Sequence, residues 1–172
     1  MKFSFKNDYS EGCHPKILEA LSQYNLDQQN GYGLDIYSEN TANIIREKTK
    51  SPQSRVHLVS GGTQANLIVI SSILRPHESV VSANTGHIFT NETGAIEATG
   101  HKVHGVETKD GKLRPEDIQN VLDVHTNVPH QVKQKLVYIS NSTEVGTIYT
   151  KKELENLSEF CKKKNLYLFM DG

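Results

Sequence analysis

The chain has 172 residues, of which 23% are charged and 35% are hydrophobic, and its formal net charge is −1. These values are typical of a soluble globular protein and exclude a strongly basic surface of the kind that binds nucleic acid. No stretch approaches the roughly 20 apolar residues of a transmembrane helix, and two cysteines are too few for a disulfide framework. We therefore expect a cytoplasmic protein without nucleic-acid or membrane partners, folded as one domain over residues 1–172.

Apolar periodicity predicts helices and strands that alternate along the chain. The predicted helices cover residues 15–24, 39–50, 63–74, 91–99, 114–125 and 150–164. The predicted strands are short apolar runs at residues 56–59, 79–82, 102–106, 136–139 and 166–170. This alternation favours an α/β fold, with a mostly parallel sheet and helices on both faces. Gly100 is expected to end the fourth helix, and Thr150 with Glu153 to cap the last.

The motif Ser60-Gly61-Gly62-Thr63 follows a predicted strand and opens a predicted helix. Two glycines let a backbone approach an oxyanion closely, and the helix N-terminus offers free N–H groups. Thr63 is expected to cap that helix and to donate its hydroxyl group. The dinucleotide and P-loop fingerprints are both missing from the sequence. A phosphate site and a plain strand-to-helix turn both fit this motif.

Three polar residues, His87, Asn141 and Asp171, follow predicted strands. Ligands bind at the carboxyl edge of open α/β sheets. The His87 imidazole could stack on a planar ring or accept a proton, or simply bond the backbone. Glu92 could hydrogen-bond His87 or only favour a helix N-terminus. Asp171 could pair with a protonated pyridine nitrogen or cap the next turn.

No metal site is expected from the sequence. His101 and His104 lie three positions apart in a predicted strand, so they point to opposite faces. The other histidines have no partner at ligand spacing, and no zinc-binding motif is present. The lysines, including the run at residues 162–164, stand in surface-like contexts.

Taken in order, the motifs resemble those of the threonine aldolase family. They are Ser60-Gly-Gly-Thr-Gln-Ala-Asn66, His87-Ile-Phe-Thr-Asn-Glu-Thr-Gly-Ala-Ile-Glu-Ala-Thr-Gly100, Leu136-Val-Tyr-Ile-Ser-Asn-Ser-Thr-Glu-Val-Gly-Thr147 and Phe169-Met-Asp-Gly172. The resemblance covers nearly the whole chain. It implies a β-eliminating lyase of the fold-type I group, with pyridoxal 5'-phosphate (PLP) as cofactor. The chain would be the N-terminal part of its large PLP-binding domain.

The resemblance also implies a role for individual residues. The glycine motif would hold the cofactor phosphate, the imidazole would stack on the pyridine ring, and the last carboxylate would pair with the ring nitrogen. The implied residues are His87, His130 and Asp171 for catalysis; Gly61, Gly62, Thr63, His87, Asn141 and Asp171 for the cofactor; and Asn7, Ser10 and His130 for the substrate.

The implied reaction is cleavage of the Cα–Cβ bond of a β-hydroxy amino acid such as threonine, which gives glycine and an aldehyde. Another β-eliminating PLP lyase, or a non-catalytic module that binds a phosphate ligand, remains an alternative. A homodimer or homotetramer is implied, with residues 32–38 as a loop that could reach a neighbour. Family members continue to the lysine that attaches the cofactor and to a small C-terminal domain. The 172-residue chain alone is therefore expected to be inactive and prone to aggregate.

Overall fold

The chain divides into two compact units, Met1–Leu58 and Val59–Gly172. The computed structural model describes residues 11–172, which contain seven helices and four strands. Within that range, every helix is too short or too polar to cross a membrane. The single domain expected over residues 1–172 stays a prediction.

The described part of the first unit, residues 11–58, contains two helices, α1 (Pro15–Tyr24) and α2 (Ile36–Lys48). Helix α2 begins three residues earlier than predicted because Asp35 caps it, accepting a hydrogen bond of 2.8 Å from the Ser38 N–H. Neither helix has a buried residue, so the apolar side chains of α1 are exposed.

The second unit is built on a four-stranded parallel sheet with the order β2-β1-β3-β4. Its strands are β1 (Glu78–Ala83), β2 (Val103–Val106), β3 (Lys133–Ser140) and β4 (Tyr167–Asp171). Its helices are α3 (Gly62–Ile73), α4 (His87–Thr90), α5 (Ala95–Ala98), α6 (Pro115–Val124) and α7 (Lys151–Lys163). The Thr150–Glu153 capping box at the start of α7 is as predicted.

Helices cover both faces of the sheet. Successive strand residues point to opposite sides, so the apolar strands present side chains to the helices on each face. One apolar cluster packs α3, α4 and α5 against the sheet and contains Ile70, Leu74, Val80, Ile88, Ile96, Leu136 and Tyr138. The other packs α6 and α7 and contains Val81, Ala83, Leu113, Ile118, Val137, Ile139, Tyr149, Leu157, Cys161 and Leu166. The predicted α/β fold class is confirmed.

Two predicted elements are wrong. Residues 56–59 form no strand, since a short apolar run becomes a strand only where another strand bonds to it, and none of β1–β4 does so. The helix predicted at residues 91–99 is wrong in its first half, since α4 ends at Thr90, a turn follows, and only α5 at Ala95–Ala98 is helical in that range. In that turn Thr93 and Gly94 have φ of 54° and 75°, values that a right-handed helix cannot accommodate.

The last strand is only partly buried, although its sequence is an apolar run. Strand β4 pairs with β3 on one side and forms an edge of the sheet described here. Tyr167 and Met170 are therefore 51% and 52% exposed. The position of Asp171 at its carboxyl end is nevertheless as predicted.

Candidate active site

The carboxyl edge of the sheet collects the polar residues that follow strands β1, β3 and β4. His87 comes four residues after the end of β1, Asn141 directly follows β3, and Asp171 ends β4. In the β3–β4 register Ser140 lies opposite Asp171, so both strands end at the same level. This is the edge at which open α/β sheets bind ligands.

The Asp171 carboxylate is held by two donors. Its Oδ2 accepts hydrogen bonds from the Tyr138 hydroxyl at 2.5 Å and from Asn66 Nδ2 at 3.2 Å. Tyr138 is buried in β3 and Asn66 is buried in α3. Burial, together with the bond to Asp171, raises the pKa of Tyr138, so its hydroxyl keeps its proton and acts as a donor.

Asn66 connects Asp171 to a second carboxylate. The same Nδ2 atom donates to Glu92 Oε1 at 2.8 Å, and Asn66 is only 1% exposed. No role was predicted for this residue. A signal was available, since Asn66 lies four positions before Ile70 and thus on the core-facing side of α3.

His87 lies at the start of α4 with Glu92 beside it. Its Nε2 is 3.8 Å from Glu92 Oε1, and the two side chains are 44% and 1% exposed, respectively. Its Nδ1 is 3.4 Å from Asn91 Nδ2. The imidazole therefore has an accessible part that a ligand could contact and a carboxylate on its buried side. The 3.8 Å separation brings the two side chains together, but it is too long for the hydrogen bond that was considered for Glu92.

At two glycines of this edge, neighbouring atoms lie too close for a side chain to fit. A Cβ at Gly86 would overlap Ser82 Oγ and press on the Ala83 carbonyl oxygen, to which the Gly86 N–H donates at 2.9 Å. A Cβ at Gly172 would overlap the backbone carbonyl of Asn141. Glycine is therefore needed both before His87 and after Asp171 for these side chains to take their places.

The N-terminus of α3 has open N–H groups. The helix begins at Gly62 and its N-cap is Gly61, which has no side chain to bond the first turn. Thr63 was predicted as the cap; that prediction is wrong because the helix starts one residue earlier. A Cβ built at Gly61 or Gly62 would meet no atom within 4 Å. Packing thus does not require these glycines, whereas close approach of an anion to the backbone would.

Several buried oxygen atoms at this edge lack a hydrogen-bond partner among the residues described. They are Asn66 Oδ1, Asn84 Oδ1, Thr85 Oγ1 and Glu92 Oε2. Buried polar atoms are normally hydrogen-bonded, so the edge is suited to a polar ligand.

The site offers what PLP needs. It has open N–H groups for the phosphate, an accessible imidazole for the planar ring and a fixed carboxylate for the ring nitrogen. The residues present fit that cofactor.

The other candidate residues are placed differently. The Asn141 side chain accepts a bond from the Tyr149 N–H at 3.0 Å, so it holds its own loop; its contact with a cofactor stays a prediction. His130 precedes β3 and lies at the opposite edge of the sheet from Asp171. The structure does not bring it to His87, and its role also stays a prediction. Asn7 and Ser10 lie outside the described residues.

Comparison with known proteins gives consistent matches. The model of the beta-eliminating lyase family matches residues 9–172. Low-specificity L-threonine aldolases from Pseudomonas aeruginosa and another Pseudomonas strain are 30% and 32% identical over 98% of this chain, which spans 49% of each relative. The structure of Leishmania major threonine aldolase is 53% identical with a TM-score of 0.95, over 99% of this chain and 50% of that one. The chain thus spans about half the length of these relatives.

Proposed function

The chain belongs to the beta-eliminating lyase family, whose members depend on PLP, and we propose that it is part of a threonine aldolase. The proposed reaction cleaves the Cα–Cβ bond of a β-hydroxy amino acid such as threonine to glycine and an aldehyde. The observation that carries the proposal is the position of Asp171, fixed by two donors at the sheet edge that also presents His87.

Residues of this chain would hold the cofactor at three points. Gly61, Gly62 and Thr63 would bind the phosphate through the N-terminus of α3. The accessible imidazole of His87 would lie against the ring, and Asp171 would pair with the ring nitrogen. When bound, PLP supplies an electron sink that takes up the electron pair of the breaking bond.

Two residues would handle protons during the reaction. Asp171 would hold the proton on the ring nitrogen, which keeps the electron sink cationic when charge develops. His87 would take the proton of the substrate β-hydroxyl, directly or through a water, so that this oxygen becomes the aldehyde oxygen as the bond breaks. His130 is the other candidate base, but its place before β3 supports it less.

A homodimer or homotetramer is also proposed. Its support is the exposed apolar side of α1, where Ile17, Leu18 and Leu21 are all at least half exposed. A surface of this kind is more typical of an interface than of a free monomer. Sedimentation at several protein concentrations would test it, and a monomer throughout would contradict it.

The proposed activity is tested with Asp171→Asn in the protein that carries this chain. We expect aldehyde release from threonine to fall at least about 100-fold, because the amide cannot hold the ring nitrogen in its charged form. Aldehyde is measured by coupled oxidation of NADH. Asp110→Asn is the matched control, since Asp110 pairs with Arg114 and lies outside the site.

The outcomes separate the alternatives. Full activity of Asp171→Asn would contradict the proposed role of that carboxylate. A wild-type protein that binds PLP and acts on another β-substituted amino acid, but not on threonine, would be a different β-eliminating lyase. Binding of phosphate ligands without the visible absorption of PLP would instead indicate a non-catalytic binding module.

A further inference from the structure

We propose that Asn66 and Tyr138 are positioning residues for Asp171, which bind its Oδ2 and leave its Oδ1 to pair with the ring nitrogen of the cofactor. This inference rests on the proposed function and goes beyond it, since neither residue would touch the cofactor. It assigns a purpose to two buried polar groups that the proposed reaction does not use.

The geometry of the carboxylate carries the inference. Both donors converge on the same oxygen, Oδ2, at 2.5 Å and 3.2 Å. Among residues 11–172, none donates a hydrogen bond to Oδ1. Asp171 itself is only partly buried. Two donors on one oxygen resist rotation of the carboxylate, and the other oxygen is left at the edge where a ligand would bind.

The donors come from two separate elements, which makes the position rigid. Tyr138 lies on β3, where its ring packs edge-on against Phe169 with centroids 5.5 Å apart. Asn66 lies on α3 and is anchored a second time by Glu92 at 2.8 Å. Neither donor can move without disturbing a packed strand or helix, so the direction of the Asp171 carboxylate is set by the fold.

Packing alone does not explain these two residues. Tyr138 belongs to an apolar cluster with Ile70, Ile96 and Leu136, and Asn66 precedes Ile70 by one helical turn. Phe and Leu would fill such positions without burying a hydroxyl or an amide, which is costly to remove from water. The bonds to the Asp171 carboxylate offset that cost, because hydrogen bonds to charged groups are the stronger ones.

The test uses two ligands that differ at the ring nitrogen. The apo form of the protein that carries this chain is titrated with PLP and with 1-deaza-PLP, in which carbon replaces that nitrogen. Binding is followed by absorbance or by quenching of tyrosine fluorescence. We expect the wild type to bind PLP more tightly than the analogue, because only PLP can pair with Asp171.

In Tyr138→Phe, we expect the preference for PLP over the analogue to fall about tenfold, with affinity for the analogue unchanged. Asn66→Ala should do the same, although it also removes a partner of Glu92. Tyr149→Phe is the matched control, since that buried hydroxyl accepts from the Leu113 N–H at 2.6 Å and is not bonded to Asp171. Its preference should equal that of the wild type.

Two results would overturn the positioning role while the proposed function stands. Either Tyr138→Phe keeps the wild-type preference, or both variants weaken the two ligands equally, as a purely structural defect would. A wild type that binds neither ligand, or binds both equally, would instead overturn the pairing of Asp171 with the ring and the proposal with it.

Discussion

His87 Nε2 lies 3.8 Å from Glu92 Oε1, and these two side chains are 44% and 1% exposed. The accessible imidazole thus rests on a carboxylate that is closed off from solvent. Asn66 holds the same carboxylate oxygen at 2.8 Å, so Glu92 cannot swing away. A continuous row of contacts therefore runs from His87 through Glu92 and Asn66 to Asp171.

The variant Glu92→Gln tests the effect of the negative charge of Glu92 while its packing is kept. The glutamine oxygen can still accept from Asn66, but the negative charge beside His87 is lost. We expect kcat for the proposed threonine cleavage to fall about tenfold with KM nearly unchanged, because the positive charge that His87 gains on taking the proton is no longer next to a carboxylate. Steady-state kinetics and the melting temperature are the measurements.

Glu97→Gln is the control for this variant, since Glu97 lies on α5 and is exposed. It should have the kinetics of the wild type. Equal kinetics for Glu92→Gln and Glu97→Gln would show that the carboxylate beside His87 has no part in the reaction.

Gly62→Ala tests the phosphate site at the N-terminus of α3. A Cβ there meets no atom within 4 Å, and alanine favours a helix more than glycine does. We expect an unchanged or slightly higher melting temperature together with PLP binding at least about tenfold weaker, since the methyl group would occupy the space next to the phosphate. Unchanged PLP affinity would place the phosphate elsewhere.

Unlike Gly62→Ala, Gly86→Ala should lower the stability of the protein. Its Cβ would overlap Ser82 Oγ and press on the Ala83 carbonyl oxygen. We expect a loss of about 1–3 kcal/mol in the free energy of unfolding, measured by urea denaturation. Ser82→Ala removes the nearest obstructing atom, so the double variant should recover part of the loss. A single variant as stable as the wild type would contradict the close approach.

Much of the fold could be predicted because it depends on local patterns. The apolar runs in β1 and β3, and the cap at Thr150, are readable from a few neighbouring residues. His87 and Asp171 could be proposed because each follows a strand. The break between α4 and α5 could not, since it depends on the left-handed conformation of Thr93, which residues other than glycine rarely adopt.

The supporting residues of the site could not be predicted from local patterns. Asn66 and Asp171 are 105 residues apart, and Tyr138 and Asp171 are 33 apart. An asparagine in a helix and a tyrosine in an apolar strand are ordinary in sequence. Their contacts with Asp171 form only in the folded chain, where α3 lies next to the ends of β3 and β4.

We expect the buried histidine on β2, His104, to make the stability of the protein depend on pH. Burial, and then the nearby His125 and Lys102, lower the pKa of His104 to about 4. Its Nε2 lies 3.1 Å from Ser79 Oγ and 3.2 Å from Gln134 Nε2. In the unfolded chain a histidine has a pKa of about 6.5, so the folded state disfavours the protonated ring.

Between pH 6.5 and pH 4, the unfolded chain therefore binds a proton that the folded chain does not. The stability contributed by neutral His104 is complete above about pH 6.5 and is lost progressively as the pH falls toward 4. His104→Gln keeps a polar side chain but cannot titrate, so its free energy of unfolding should fall less than that of the wild type over this range. Urea denaturation at several pH values measures the difference, and parallel pH dependences for the two proteins would show that His104 is not responsible.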